Sequence, residues 1–137
     1  MTNTIHSLPN GLKYMLVPHK CTNNTSIYIY IKMGSKQETK KTNGISHFIE
    51  HMLFKGTQKY PTSIELSKTM DALGCQFNAY TDKHFTAYHV TLLSNYKNTN
   101  ITLEVLADMI FASLIKQSDI IIEKKVVIEE IDKEYDD

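Results

Sequence analysis

The stretch His47-Phe48-Ile49-Glu50-His51 places two imidazoles and one carboxylate on a short predicted helix. At about 100° of rotation per residue, His51 lies about 40° to one side of His47, and Glu50 lies about 60° to the other. The three functional groups therefore share one face, while Phe48 and Ile49 point toward a core. Two neutral imidazoles one turn apart suit adjacent corners of a tetrahedral Zn²⁺ site, and Glu50 is placed to take a proton from a water at an open corner. The pattern predicts a metal centre, and a pair of helix-surface histidines is the alternative.

Composition indicates one ordinary globular domain that spans residues 1–137. The chain is 42% hydrophobic and 22% charged, and its 15 basic residues balance 15 acidic ones. A net charge of zero gives no electrostatic argument for nucleic acid or an anionic membrane as a partner, and no apolar run is long enough to span a bilayer. The first residues show neither a signal peptide nor an Arg-rich transit peptide, so we expect an intracellular, cytoplasmic protein. Cys21 and Cys75 have no metal or redox spacing and are expected to be reduced thiols.

The hydrophobic pattern predicts strands and helices in no regular alternation. Asn10-Gly11 between two apolar stretches is a strong hairpin signal, and alternating isoleucines indicate a half-buried strand. The second helix has an apolar face that includes Ile64, and the third has one that includes Leu103. The predicted elements are, in order, a hairpin of 5–8 and 12–17, a strand at 26–33, the histidine helix ending near Lys55-Gly56, a helix at 62–73, strands at 76–81 and 85–93, a helix from Asn98 or Asn100 to Leu114, and a helix from 119 to about 135. This order predicts an α+β fold, with a mainly antiparallel sheet and helices packed on one face.

The last helix contains the candidates for a third metal ligand. Glu130 lies about 20° from Glu123 around the helix, whereas Glu129 lies about 120° away. The Glu123/Glu130 stripe is flanked by valines and isoleucines and should face packed interior, while Glu129 has lysines one turn away and should form surface ion pairs. A buried carboxylate is costly unless it is paired or bound to a metal. We therefore predict that Glu130 is the third ligand, with a buried salt bridge as the alternative.

Glu123 is predicted to support the metal site. Its place beside Glu130 would allow a hydrogen bond to a ligating imidazole or to Glu130 itself. The alternative is an ordinary charge on the helix surface.

Several motifs in order resemble one peptidase family. They are Leu8-Pro-Asn-Gly-Leu12, Gly34-Ser35 with Glu38, Gly44-x-x-His47-Phe-x-Glu50-His51-Met-x-Phe54-Lys-Gly56-Thr57, Asn78-Ala-Tyr-Thr81 with Thr86 and Tyr88, and Glu123-x6-Glu130. The chain is thereby identified as a member of the inverted-zincin peptidases typified by pitrilysin, insulin-degrading enzyme and mitochondrial processing peptidase, the M16 or insulinase family. Their signature is H-x-x-E-H, the reverse of H-E-x-x-H.

The resemblance implies a zinc metalloendopeptidase with one Zn²⁺ per chain. His47, His51 and Glu130 would hold the ion, and Glu50 would be the general base. The 78 residues between His51 and Glu130 slightly exceed the usual gap in the family. The choice of Glu130 over Glu129 therefore rests on the face of the helix that Glu130 shares with Glu123 and on the match of Glu130-Ile131 to the family pattern.

The resemblance also implies a mode of substrate binding. Asn78, Ala79 and Tyr80 match the edge strand that takes a peptide or small-protein substrate as an added β-strand, so that main-chain hydrogen bonds carry the affinity. An ordinary core strand is the alternative.

Members of the family are longer chains whose further homologous domains enclose the substrate. We therefore expect this chain to be an N-terminal catalytic portion that depends on C-terminal domains or on a homologous subunit, and to be inactive or nearly so alone. Two other readings stay open. One is a noncatalytic binding or assembly subunit, although such partners usually lack an intact H-x-x-E-H. The other is a zinc-stabilised structural domain, which would have four protein ligands.

Overall fold

The computed structural model describes residues 4–136, with side chains described for residues 4–133. The elements are β1 (Ile5–Ser7), β2 (Lys13–Met15), β3 (Asn24–Ile31), a 3₁₀ turn (Ser35–Gln37), α1 (Ile45–Met52), α2 (Ser63–Ala72), β4 (Gln76–Thr81), β5 (Thr86–Leu93), α3 (Tyr96–Phe111) and α4 (Gln117–Asp136). None of the helices in this part of the chain combines the length and apolar character needed to cross a bilayer.

Three strands form one antiparallel sheet in the order β3-β5-β4. The register pairs Ile29 of β3 with Tyr88 of β5, and Asn78 of β4 with His89 of β5. β1 and β2 form a separate antiparallel ribbon, whose turn uses Gly11 at a φ of 87°. Positive φ is readily adopted by glycine, which explains the predicted Asn-Gly turn. The hairpin and the antiparallel sheet are confirmed.

The core lies on one face of this sheet. Alternation along β5 places Tyr88, Val90 and Leu92 on the buried face. Residues of α2 and α3 pack against that face, and the buried cluster consists of Leu66, Met70, Cys75, Val90, Leu92, Val105, Leu106 and Met109. The opposite face has partly exposed aromatic rings, where Tyr28 stacks on Tyr30 and on His89. The predicted α+β architecture, with helices on one side, is therefore confirmed.

Several predicted details of the helices are wrong. Ile49, predicted to point toward a core, is 43% exposed, and α3 ends at Phe111, short of the predicted Leu114. The third helix begins at Tyr96, because the extended Asn95 accepts a 3.1 Å hydrogen bond from the N–H of Asn98 and is itself the cap. Ile64 and Leu103 are exposed, since burial in α2 and α3 follows other residues of each helix. α1 ends at Met52, short of the predicted Lys55-Gly56.

The chain turns sharply after α1. Gly56 has a φ of 137°, and a Cβ there would lie 2.7 Å from the carbonyl oxygen of Pro61. Only glycine fits this close approach of two backbone segments. Lys55 therefore lies in a fixed turn beside α1, although outside the helix.

Candidate metal centre

A carboxylate from the preceding loop fixes the start of α1. Gly44 is in the left-handed conformation and has no side chain with which to cap the helix. Glu38 replaces that cap, because its two oxygens accept hydrogen bonds from the N–H groups of Gly44 (2.7 Å) and Ser46 (2.8 Å). Burial raises the pKa of Glu38, but the backbone hydrogen bonds from Ser46 and Gly44 outweigh it and leave the pKa below its usual value. The helix that bears both histidines is thus capped at its N-terminus by a carboxylate.

His47 and His51 present their Nε2 atoms to each other. The two nitrogens lie 2.9 Å apart, and the rings meet edge to face with centroids 4.6 Å apart. Both side chains are only partly exposed. The helix periodicity of the sequence predicted this shared face, and the structure shows it.

Glu130 of α4 completes a group of three ligand atoms. Its Oε2 lies 3.5 Å from Nε2 of His47 and 3.4 Å from Nε2 of His51. The ligand atoms of the three residues all fall within 4.8 Å of one another. Tetrahedral zinc with bonds of about 2.0 Å separates neighbouring ligand atoms by about 3.3 Å. The two nitrogens and one oxygen therefore match zinc in chemistry, and their spacing comes close to it.

The environment of the last-helix glutamates differs partly from expectation. Glu123 is buried, whereas the Glu130 side chain is 45% exposed, so the packed interior predicted for both holds for Glu123 alone. Glu130 lies at the rim because α4 meets α1 there and leaves one side open to solvent. Glu129 is exposed as predicted, but it forms no ion pair within 4.0 Å in the described part of the chain.

Glu123 contacts the far side of the His51 ring. Its Oε1 lies 2.9 Å from Nδ1 of His51, and its Oε2 forms an ion pair with Lys55. Burial raises the pKa of Glu123, but the hydrogen bonds from Lys55 and His51 outweigh it and leave the pKa below its usual value. An ionised carboxylate accepts only, so Nδ1 of His51 donates, and in the neutral ring Nε2 keeps a lone pair for a metal.

Glu50 is buried and held by the sheet. The hydroxyl of Thr81, at the end of β4, donates a 2.6 Å hydrogen bond to Oε2 of Glu50. Among the described residues no hydrogen bond is recorded to Oε1. Glu50 and His51 line one cavity of about 240 Å³ together with Phe54, Lys55, Asn78 and Glu123. A larger cavity of about 400 Å³ lies between residues 41–48 and α4, and it contains none of the candidate ligands.

The predicted substrate strand lies at a sheet edge. Within the described residues, β4 pairs only with β5, and its Asn78 and Tyr80 side chains are exposed. Asn78 also lines the cavity that contains Glu50. An edge position beside the candidate base leaves main-chain groups of β4 for another strand. The N–H of Ala79 is occupied, because it donates a 2.8 Å hydrogen bond to Oδ1 of Asn78.

Neither Thr81 nor Lys55 was predicted from the sequence to take part in the site. Both make contacts across elements, to Glu50 and Glu123, that no local periodicity reveals. One signal was present in the sequence for Lys55, because the predicted helix, which ran to Lys55, would place it one turn after His51.

Comparisons with known proteins bear on the family and on the fold of the chain. The model of the family described as "Insulinase (Peptidase family M16)" matches residues 14–136. An uncharacterized zinc protease of Bacillus subtilis, YmxG, is 39% identical over 132 residues, covering 96% of this chain and 31% of that protein. The uncharacterized zinc protease SCO5738 of Streptomyces coelicolor is 34% identical over 131 residues, covering 96% of this chain and 28% of that protein.

A comparison with solved structures finds the same fold in a protease. The first half of the periplasmic protease PqqL from Escherichia coli superposes with a TM-score of 0.87 at 28% identity, over 96% of this chain and 29% of that one. The chain thus spans about a third of the length of the proteins it matches.

Proposed function

Since the chain belongs to the insulinase family of peptidases, family M16, we propose that it is the zinc-binding catalytic portion of a metalloendopeptidase. The observation that carries the proposal is the meeting of His47 and His51 of α1 with Glu130 of α4, within 4.8 Å of one another. Two relatives of this chain are named zinc proteases. The substrate would be a peptide or a small protein.

His47, His51 and Glu130 would hold one zinc ion. Two imidazole nitrogens and one carboxylate are a ligand set of catalytic zinc sites, which keep a fourth position open. Bound zinc would supply Lewis acidity, which lowers the pKa of a water molecule toward about 7. Glu123 would hold His51 in the required tautomer from the opposite side of the ring.

Glu50 would act as the general base. Thr81 occupies its Oε2, so Oε1 would accept the proton that the attacking water loses. The hydroxide adds to the peptide carbonyl carbon, and the proton then passes to the departing amine, so that one water is consumed for each bond cleaved. Glu50 itself is buried at the cavity wall, so little of its carboxylate is exposed to bulk water.

Asn78, Ala79 and Tyr80 would bind the substrate. The free edge of β4 offers main-chain donors and acceptors to an extended peptide, and such pairing depends little on side-chain sequence. Asn78 borders the cavity that holds Glu50. A peptide added along β4 would therefore pass close to the base.

Residues 1–137 would act together with further protein. The chain spans about a third of its relatives, so substrate grip and oxyanion stabilisation would come from additional C-terminal domains or from a homologous subunit. The zinc-stabilised structural domain predicts four protein ligands. The described residues bring three together, which favours an open catalytic site.

Metal analysis of the dialysed 137-residue chain tests the zinc site. We expect one zinc per chain, lost in His47→Ala and in His51→Ala, and retained in His84→Ala as a control on an exposed histidine. Zinc retained by both site variants would refute the proposed ligands. For a form of the protein that includes the proposed further domains, peptide hydrolysis that resists a chelator would refute the proposed reaction.

A further inference from the structure

Lys55, Glu123 and His51 form a continuous chain of contacts behind the candidate metal centre. The Lys55 ammonium pairs with Oε2 of Glu123, and Oε1 of Glu123 lies 2.9 Å from Nδ1 of His51. The opposite nitrogen of His51, Nε2, faces His47 and Glu130. The Lys55 ammonium is thus connected to the candidate ligand His51 through two contacts, Lys55–Glu123 and Glu123–His51.

Glu123 needs such a partner because its side chain is only 6% exposed. A buried carboxylate is costly unless it is paired and hydrogen-bonded. The other described lysine–carboxylate pair, Lys59 with Glu104, is more than half exposed at both ends, and such surface pairs contribute little. Among the described lysines, Lys55 is therefore the one whose ammonium neutralises a buried acid.

The contact also fixes the orientation of Glu123. A carboxylate hydrogen-bonded only to His51 can rotate and present either oxygen, whereas one oxygen held by Lys55 leaves the other aimed at Nδ1. We propose that Lys55 is a positioning residue of the metal centre, which holds Glu123 and, through Glu123, the ring of His51. This inference rests on the proposed function, since it takes His51 as a metal ligand.

Two other roles for Lys55 make different predictions. As a plain positive charge near a cation, Lys55 would repel zinc, and its removal would tighten zinc binding. As a substrate contact, suggested by its place on the cavity wall with Asn78, its removal would leave zinc affinity unchanged. A positioning role predicts weaker zinc binding.

The test measures zinc affinity of the 137-residue chain by competition with a chromophoric chelator. We expect Lys55→Met to weaken zinc binding about 10-fold and Lys55→Arg, which keeps the charge, to stay within about threefold of the parent. Glu123→Gln should weaken it about 10- to 100-fold. Lys55→Met in the Glu123→Gln background should have no further effect, because Lys55 acts through Glu123. Lys124→Met, an exposed lysine next to Glu123, is the matched control and should change nothing.

These variants distinguish a failure of the positioning role of Lys55 from a failure of the proposed zinc site. Unchanged or tighter zinc binding in Lys55→Met, or additive losses in the double variant, would overturn the positioning role while leaving the zinc site intact. If His47→Ala and His51→Ala retain zinc, the proposed function fails, and this inference fails with it. Thermal unfolding of each metal-free variant checks folding. If Lys55→Met does not fold, Lys55→Gln replaces it in the same cycle, and loss of folding in both while Lys55→Arg binds normally would show a structural role and refute the proposal.

Discussion

Replacing Glu130 by Gln should weaken zinc binding far more than the same change at its neighbour Glu129. The Glu130 carboxylate lies 3.4 and 3.5 Å from the two imidazole nitrogens, whereas Glu129 is exposed and lies about 100° from Glu130 around α4. Both variants remove one negative charge from the same turn of helix. Their difference therefore isolates ligation from general electrostatics.

The size of the effect follows from the number of ligands. Structural zinc sites with four ligands bind with about 10–16 kcal/mol, or about 2.5–4 kcal/mol per ligand. Since about 1.4 kcal/mol corresponds to a factor of ten, Glu130→Gln should cost about 10²–10³ in affinity. An exposed charge such as that of Glu129 is screened at physiological salt, so Glu129→Gln should cost less than about threefold.

The assay is competition with a chromophoric chelator at constant pH and about 0.15 M salt, where the Debye length is about 8 Å. Circular dichroism of the metal-free chains checks that both variants keep the helix content of the parent. Equal losses of zinc affinity in the two variants would refute the inference that Glu130, and not Glu129, faces the two histidines. A larger loss for Glu129→Gln would make Glu129 the ligand.

Three further predictions concern the base, the helix cap and the chain alone. In a form of the protein that includes the further domains proposed above, Glu50→Gln should keep zinc but abolish peptide hydrolysis, because an amide cannot accept the proton; near-normal turnover would rule out Glu50. Glu38→Gln should lower the free energy of unfolding by about 1 kcal/mol at pH 7. Because the pKa of Glu38 is depressed in the folded state, the contribution of its carboxylate to the free energy of unfolding is present above the unfolded pKa of about 4.3. That contribution is lost as the pH falls through the folded pKa. A stability difference between Glu38→Gln and the parent in urea unfolding that persists well below about pH 4 would contradict this. The 137-residue chain should bind zinc yet show little chelator-sensitive hydrolysis of an unstructured peptide, because losing one oxyanion donor alone typically costs about 10²–10³ in rate; robust turnover by a monomer in size-exclusion chromatography would refute it.

Much of the site was predictable because its geometry is local. The spacing of His47, Glu50 and His51 fixes their common face once a helix is granted, and the same arithmetic separates Glu130 from Glu129. Sequence alone could not place Glu130 at an open rim, since exposure depends on how α4 meets α1.

The features that the sequence did not predict depend on contacts between different helices, strands and turns. Thr81 reaches Glu50 across 31 positions, and Lys55 reaches Glu123 from a turn outside the helix. Neither contact has a periodic signature. The cap of α3 shows the same limit, because Asn95, Asn98 and Asn100 have equal intrinsic capping ability and only the observed backbone selects Asn95.

The candidate ligands His51 and Glu130 are separated by 78 residues, and that interval contains α2, the strands β4 and β5, and α3. A zinc ion bound as proposed would act as a removable cross-link that closes this loop. For a loop of about 80 residues, polymer theory assigns a cross-link about 4–5 kcal/mol, through the lost freedom of the unfolded chain. Chelation would remove that constraint and the ligand bonds together. Proteolytic cleavage should then become easier along α4, so susceptibility to a protease would report how much zinc the chain carries.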